Sequence, residues 1–231
     1  PQPLAVRLAA DWWENTPLEI IIRIISELPS GMLEAFCTQM AKLHFVEQAY
    51  DIVSELCGER GPFGNAEALN TVTGARLFSA MAEVNPSAAS AELDRIFGSW
   101  DRERLSCIGP GRRHLVYALE KLCFWENTFD IASRLMLSFA EAETESWANN
   151  STSQFIQLYQ VVLSGTQAPP EQRLRIIDEA LASQSYKRRE LAVKALGRAL
   201  QGTHLSRIGG VEAQGSRPTA VDWYPQTTHQ V

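Results

Sequence analysis

The sequence predicts an all-α protein: a HEAT-like α-α superhelix (an α-solenoid) of about ten helices with an irregular C-terminal tail. Three observations carry that expectation. Apolar residues recur at i, i+3, i+4 and i+7 along most of the chain, the spacing of helices with one buried stripe. No segment shows strand alternation or an Asn-Gly or Asp-Gly hairpin turn. The prolines that open helices, Pro17, Pro86 and Pro170, lie 69 and 84 residues apart, and half of each interval is near the length of one HEAT-like helix pair. A single pair cannot bury its stripe; stacking on neighbours does. A compact, irregular helical bundle is the alternative that the same stripes allow.

Leu18, Ile21, Ile22, Ile25 and Leu28 form the first clear stripe. Thr16 suits its N-cap, Pro17 its first helical position and Pro29 its end. Leu33, Phe36 and Met40 follow, then Phe45, Ala49, Ile52, Val53 and Leu56, closed by Gly58. After a Gly/Pro loop, Val72, Ala75, Phe78 and Ala82 share a face, and Asn85-Pro86 repeats the cap-plus-proline signal before Ala89, Leu93, Ile96 and Phe97. Residues 98–111 read as irregular. Leu115, Ala118, Leu119 and Leu122 make one further stripe, and Thr128, Ile131, Leu135 and Phe139 another. A helix around Phe155, Leu158 and Val162 ends near Gly165. Pro169-Pro170 opens that of Leu174, Ile177 and Leu181, and Leu191, Ala195, Leu196, Ala199 and Leu200 complete the set. The expected core is Ile21, Ile25, Phe36, Ile52, Phe78, Leu93, Ile96, Leu119, Leu135, Phe139, Leu158, Ile177, Leu181 and Leu196.

The domain division follows: residues 1–202 are a helical-repeat domain and residues 203–231 a tail rich in Gly, Pro, Gln and Thr. That tail reads as a linker or a strap over the last repeat, with Trp223 and Tyr224 as anchors. Trp12 and Trp13 are expected to pack against the second helix. A net charge of -6 is the wrong sign for a general nucleic-acid binder and gives an acidic, solvated surface. Cys37, Cys57, Cys107 and Cys123 form no CxxC pair, and buried free thiols in a reducing, cytoplasmic setting are expected. No apolar run approaches a membrane span, and no signal peptide is visible. The chain begins at Pro1 and ends at Val231 amid polar residues, which reads as a piece of a longer protein.

Positive signs of catalysis are missing from the sequence. There is no GxxxxGK[ST] loop, and Gly109-Pro110-Gly111 lacks the strand and spacing of a dinucleotide fingerprint. His44, His114, His204 and His229 are scattered, without metal-ligand spacing. Glu141, Glu143 and Glu145 read as a solvated turn after a helix, and no GxSxG elbow occurs. Arg112-Arg113 and Lys187-Arg188-Arg189 read as charged turns before helices, although guanidinium groups there could hold phosphate or carboxylate. No catalytic residue, cofactor or metal is therefore assigned.

Three stretches carry a resemblance: "LAADWWENTPLEIIIRIISELP", "GARLFSAMAEVNPSAASAELDRIFG", and "WANNSTSQFIQLYQVVLSGTQAPPEQRLRIIDEALAS" with "RRELAVKALGRAL". With the ending "GSRPTAVDWYPQT", they are similar to the helical-repeat region of large bacterial STAND-type (NACHT-like) NTPases. In that family a nucleotide-binding oligomerisation module precedes a long repeat array that senses a ligand, and some members act in antiviral defence. The resemblance implies a sensor or scaffold array whose partners are a protein or peptide and the neighbouring domains of the same polypeptide. None of the ATPase motifs occurs here, so no nucleotide-site residue carries over.

The expected function is a non-catalytic interaction module within such an NTPase. A free-standing adaptor holding a helical or extended peptide is the second reading, and a helical enzyme whose site escapes motif search the third. Neither a membrane nor a nucleic acid is an expected partner. The partner contact is placed at Trp147, Asn149 and Asn150, between two stripes. Asn and Ser there also suit a plainer role, capping the helix that follows.

Overall fold

The computed structural model describes residues 2–201, 203, 206, 207 and 209–225. It is all-helical: thirteen α-helices and no strand among the described residues. The chain divides into two compact units, Pro1–Ser99 with Ile108–Ala118 and Ala213–Thr219, and Trp100–Cys107 with Leu119–Glu212 and Ala220–Val231.

The first unit holds α1 (Gln2–Asn15), α2 (Leu18–Ser26), α3 (Leu33–Met40), α4 (Glu47–Cys57), α5 (Ala66–Leu69), α6 (Val72–Val84) and α7 (Pro86–Phe97). Its centre is α6, which packs on α3, α4, α5 and α7. Ala75, Leu77, Phe78, Ala80, Met81, Ala82 and Val84 are buried around it, since small residues let neighbouring helices approach from several sides. Asn85 alone joins α6 to α7. Its Oδ1 accepts from Ala88 N (3.1 Å), capping α7 with Pro86 in the first turn, and its Nδ2 donates to Ser54 Oγ (3.1 Å) on α4. Pro17 occupies the N-cap of α2 without a side-chain cap bond, so Thr16 does not play the capping role expected of it. The segment 213–219 closes this unit: Gly215 N donates to Glu83 Oε2 (2.6 Å) and Ser216 Oγ to Lys42 O (2.9 Å).

α9 (Arg112–Phe124) belongs to the first unit through Ala118 and to the second from Leu119. The second unit also holds α8 (Arg102–Ser106), α10 (Glu126–Glu141), α11 (Ser151–Gln157), α12 (Pro170–Ala182) and α13 (Tyr186–Ala199). Here α10 packs on α8, α11, α12 and α13, and α13 also covers α11. Thr128, Phe129, Ala132, Leu135, Met136 and Phe139 of α10 are buried. Arg188 Nε is ion-paired to Glu141 Oε2 (2.6 Å), which ties the start of α13 to the end of α10.

Most of the expected core is buried, from Ile21 to Ile177, but several stripes differ from the reading. Phe36 and Leu196 are half-buried. Leu181 is exposed, because α12 turns Arg173, Ile176, Ile177 and Ala180 inward instead. Phe45, Val72, Leu174 and Leu200 are also exposed members of expected stripes. The stretch 98–111 contains α8, capped by Asp101 Oδ1 on Arg104 N (2.9 Å). The helix around Phe155 is shorter than expected, ending at Gln157, and Val162 lies beyond it. Arg112 is fully buried, not a solvated turn. Gly111 lets the chain pass there against α5: a Cβ on it would lie 2.1 Å from Leu69 O. Trp13 is buried, with Trp12 edge-on to it and more exposed, but α1 packs on α3 and α4 instead of the second helix.

Candidate functional site

The loop 142–150 between α10 and α11 holds the sequence-predicted contact residues, and a single carboxylate organises it. Glu143 Oε1 accepts from Thr144 N (2.9 Å) and Glu145 N (2.8 Å), and Oε2 accepts from Ser151 Oγ and Thr152 N. With Glu141 paired to Arg188, the acidic run is a structural fastening and not a solvated turn. Asn150 is the N-cap of α11: its Oδ1 accepts from Ser153 N (3.0 Å), while its Nδ2 donates to Glu145 O (2.8 Å). Trp147 is half-buried.

Asn149 stands apart from that cap. It lines a groove of about 300 Å³ with Ala148, Ser153, Gln154, Ile156, Gln157, Arg198 and Ser206. Three of the eight lining residues carry amides, which can both donate and accept, and one a guanidinium. Arg198 is fixed from behind: its Nη2 donates to Ser206 O (3.0 Å) and Gln160 Oε1 (3.2 Å). Gln160 Nε2 donates to the same carbonyl (3.1 Å).

Behind Gln154 lies a buried polar layer. Glu120, on α9, is buried, and removal from water lifts its carboxyl from 4.5 to about 7; Arg207 and Lys121 oppose that rise and Glu212 adds to it. Its Oε1 finds no hydrogen-bond partner among the described residues. Gly209 (φ +124°) lies directly over it, where a Cβ would come within 2.0 Å of that oxygen and the backbone conformation itself favours glycine. Arg207 pairs with both oxygens of Glu212. Arg173 is buried too, and burial lowers it to about 10. Its Nη1 donates to Leu158 O (3.0 Å) and Gln160 O (2.8 Å), and its guanidinium sits 5.3 Å from the Trp223 ring. Trp223 N donates to Thr166 O (2.7 Å), which holds that ring in place, whereas Tyr224 is exposed. Burial raises the Tyr159 phenol and the Cys123 thiol above their ordinary values.

The sequence reading missed this layer. Its one local signal is Glu120 standing between the apolar stripe residues Leu119 and Leu122. His44 and His114 make edge contacts with Phe45 and Tyr117, in the first unit; His204 and His229 lie outside the described residues. Among the described residues, no group of His, Cys, Asp and Glu is placed to hold a metal, and no helix is long and apolar enough to cross a membrane. All four cysteines are free thiols: Cys57 and Cys123 buried, Cys37 half-buried, and Cys107 exposed where burial had been expected.

No protein-family model, curated protein or solved structure matches the chain.

Proposed function

We propose that the chain is a non-catalytic helical-repeat interaction module, a HEAT-like array serving as sensor or scaffold within a larger STAND-type NTPase of the cytoplasm. The observation that carries the reading is hairpin-on-hairpin packing in the second unit, where the short-linked pair α12–α13 covers α10 and α11. That is the contact by which repeat arrays grow. The groove at Asn149 supplies the contact face. Asn149, Gln157 and Arg198 give its lining the polar, hydrogen-bonding character that suits a peptide. No cofactor enters this reading. Sequencing the reading frame upstream of Pro1 tests it. A GxxxxGK[ST] phosphate loop in the same frame supports the NTPase context; a start codon shortly before Pro1 with no such loop between them overturns it and leaves the free-standing adaptor.

One observation favours a second reading, that of a helical enzyme: a carboxyl lifted to about 7 suits acid–base work at neutral pH. The cover of Gly209 over Glu120 argues against it, since a substrate would have to displace backbone to reach that oxygen.

A further inference from the structure

Glu120 is enclosed by three walls of the second unit, and they differ in what holds them. The first is its own helix, α9, fixed on either side of it by the buried side chains of Leu119 and Leu122. The second is α11, whose buried Gln154 is hydrogen-bonded to the carboxyl and which itself packs on α10 and α13. The third is the segment 206–212, which forms no helix among its described residues. There Gly209 sits against Glu120 Oε1, an oxygen that receives no hydrogen bond. The Arg207 side chain is 5% exposed and pairs with both oxygens of Glu212, so that ion pair closes within the segment. The segment is tied to the helices by the Ser206 carbonyl, which accepts from Arg198 and Gln160, and by the buried Val211 side chain.

A neutral carboxylic acid is tolerated in such a place, whereas a carboxylate needs donors on both oxygens. Ionised, Glu120 keeps Gln154 but meets at Oε1 only glycine backbone that gives it no N–H. The groups around it do not make up the difference. Burial lifts the carboxyl to about 7 although Arg207 and Lys121 oppose the rise, and Glu212 adds to it. The Cys123 thiol, farther along α9, is held neutral by burial and by Glu120 itself. Water reaches Oε1 most readily if the third wall lifts, because moving α9 or α11 breaks helix packing. We infer that 206–212 is a proton-operated strap, closed over the second unit while Glu120 is neutral and released when Glu120 ionises. Release also withdraws Ser206 from the groove at Asn149 and frees Arg198 from its carbonyl. The inference goes beyond the function proposed above and stands whatever that groove binds.

The test places a thiol in the strap of the 231-residue chain by Val211→Cys, a small change at a side chain 5% exposed. Its labelling by an aromatic disulfide reagent is followed by peptide mass spectrometry at about pH 5 and about pH 8. Each rate is divided by that of the unfolded chain at the same pH, which removes the thiol's own titration. The open fraction is expected to rise at least about fivefold, toward a bound of about 70-fold set by 4.5 and about 7. Cys123, buried on α9, reports opening of the whole unit, and at the higher pH it is expected to label more slowly than position 211. Adding Glu120→Gln is expected to abolish the rise. Trypsin asks the same question without a new thiol. At the higher pH, cleavage after the buried Arg207 side chain is expected to be at least about fivefold slower in Glu120→Gln than in wild type. A smaller rise, a rise that survives Glu120→Gln, labelling of position 211 no faster than Cys123, or cleavage slowed by less each overturns the inference.

Discussion

Glu120→Gln isolates the electrostatic cost of the buried layer in the second unit. The carboxyl rises from 4.5 to about 7 on folding because burial strips its water, a loss that Arg207 and Lys121 only partly offset. Folding therefore takes up a proton between those values. The contribution to stability is complete below about pH 4.5 and is lost as pH climbs to about 7; above that, both states are ionised and the deficit stays constant. At 1.4 kcal/mol per tenfold, the deficit is about 3 kcal/mol. A neutral amide of the same shape removes the titration. Urea denaturation of both proteins, at about pH 5 and pH 8, is the assay. The variant's stability relative to wild type should increase by about 2.5 kcal/mol between the two conditions, since the unfolded carboxyl is already mostly ionised at pH 5. A relative change under about 0.5 kcal/mol would refute the reasoning: Glu120 would then be ionised in the fold at both values.

Three further outcomes follow from the packing. Leu135→Ala on α10, buried at 3% exposure, should cost about 2–5 kcal/mol by urea denaturation. Asn150→Ala removes the cap on Ser153 N and should cost about 1 kcal/mol by the same measurement. Under native conditions a thiol reagent should modify Cys107 first and reach Cys57 and Cys123 only on unfolding, a ranking that peptide mass spectrometry reads directly.

The sequence shows the helices plainly and their surroundings poorly. Ile21, Phe78 and Leu135 are legible because a stripe at helical spacing names the residues that share a face. The same spacing does not say whether anything covers that face, which is why Leu181 reads as core and is exposed, as are the stripe members Leu174 and Leu200. Asn150 is legible as a cap because capping is local, three residues from donor to acceptor. Arg112 and Glu120 are not, because their burial comes from chain far away. Gly111 passes against Leu69, and Gly209 closes over Glu120 from a tail that resembles a loose linker in composition.

Residues 213–219 also bear on how the protein is made. They seal the first unit through Gly215 on Glu83, Ser216 on Lys42 and Arg217 on the Glu83 carbonyl, partners 132, 174 and 134 residues earlier. A ribosome delivers the chain from its N-terminus at roughly 5–20 residues per second, and units usually fold in that order. Here the first unit lacks the contacts of 213–219 until the helices of the second unit have been made. During translation the end of α6 meets Gly215 and Arg217 only after the intervening helices have emerged. A truncation just after Glu212 would thus leave the first unit unfinished although all seven of its own helices had been made.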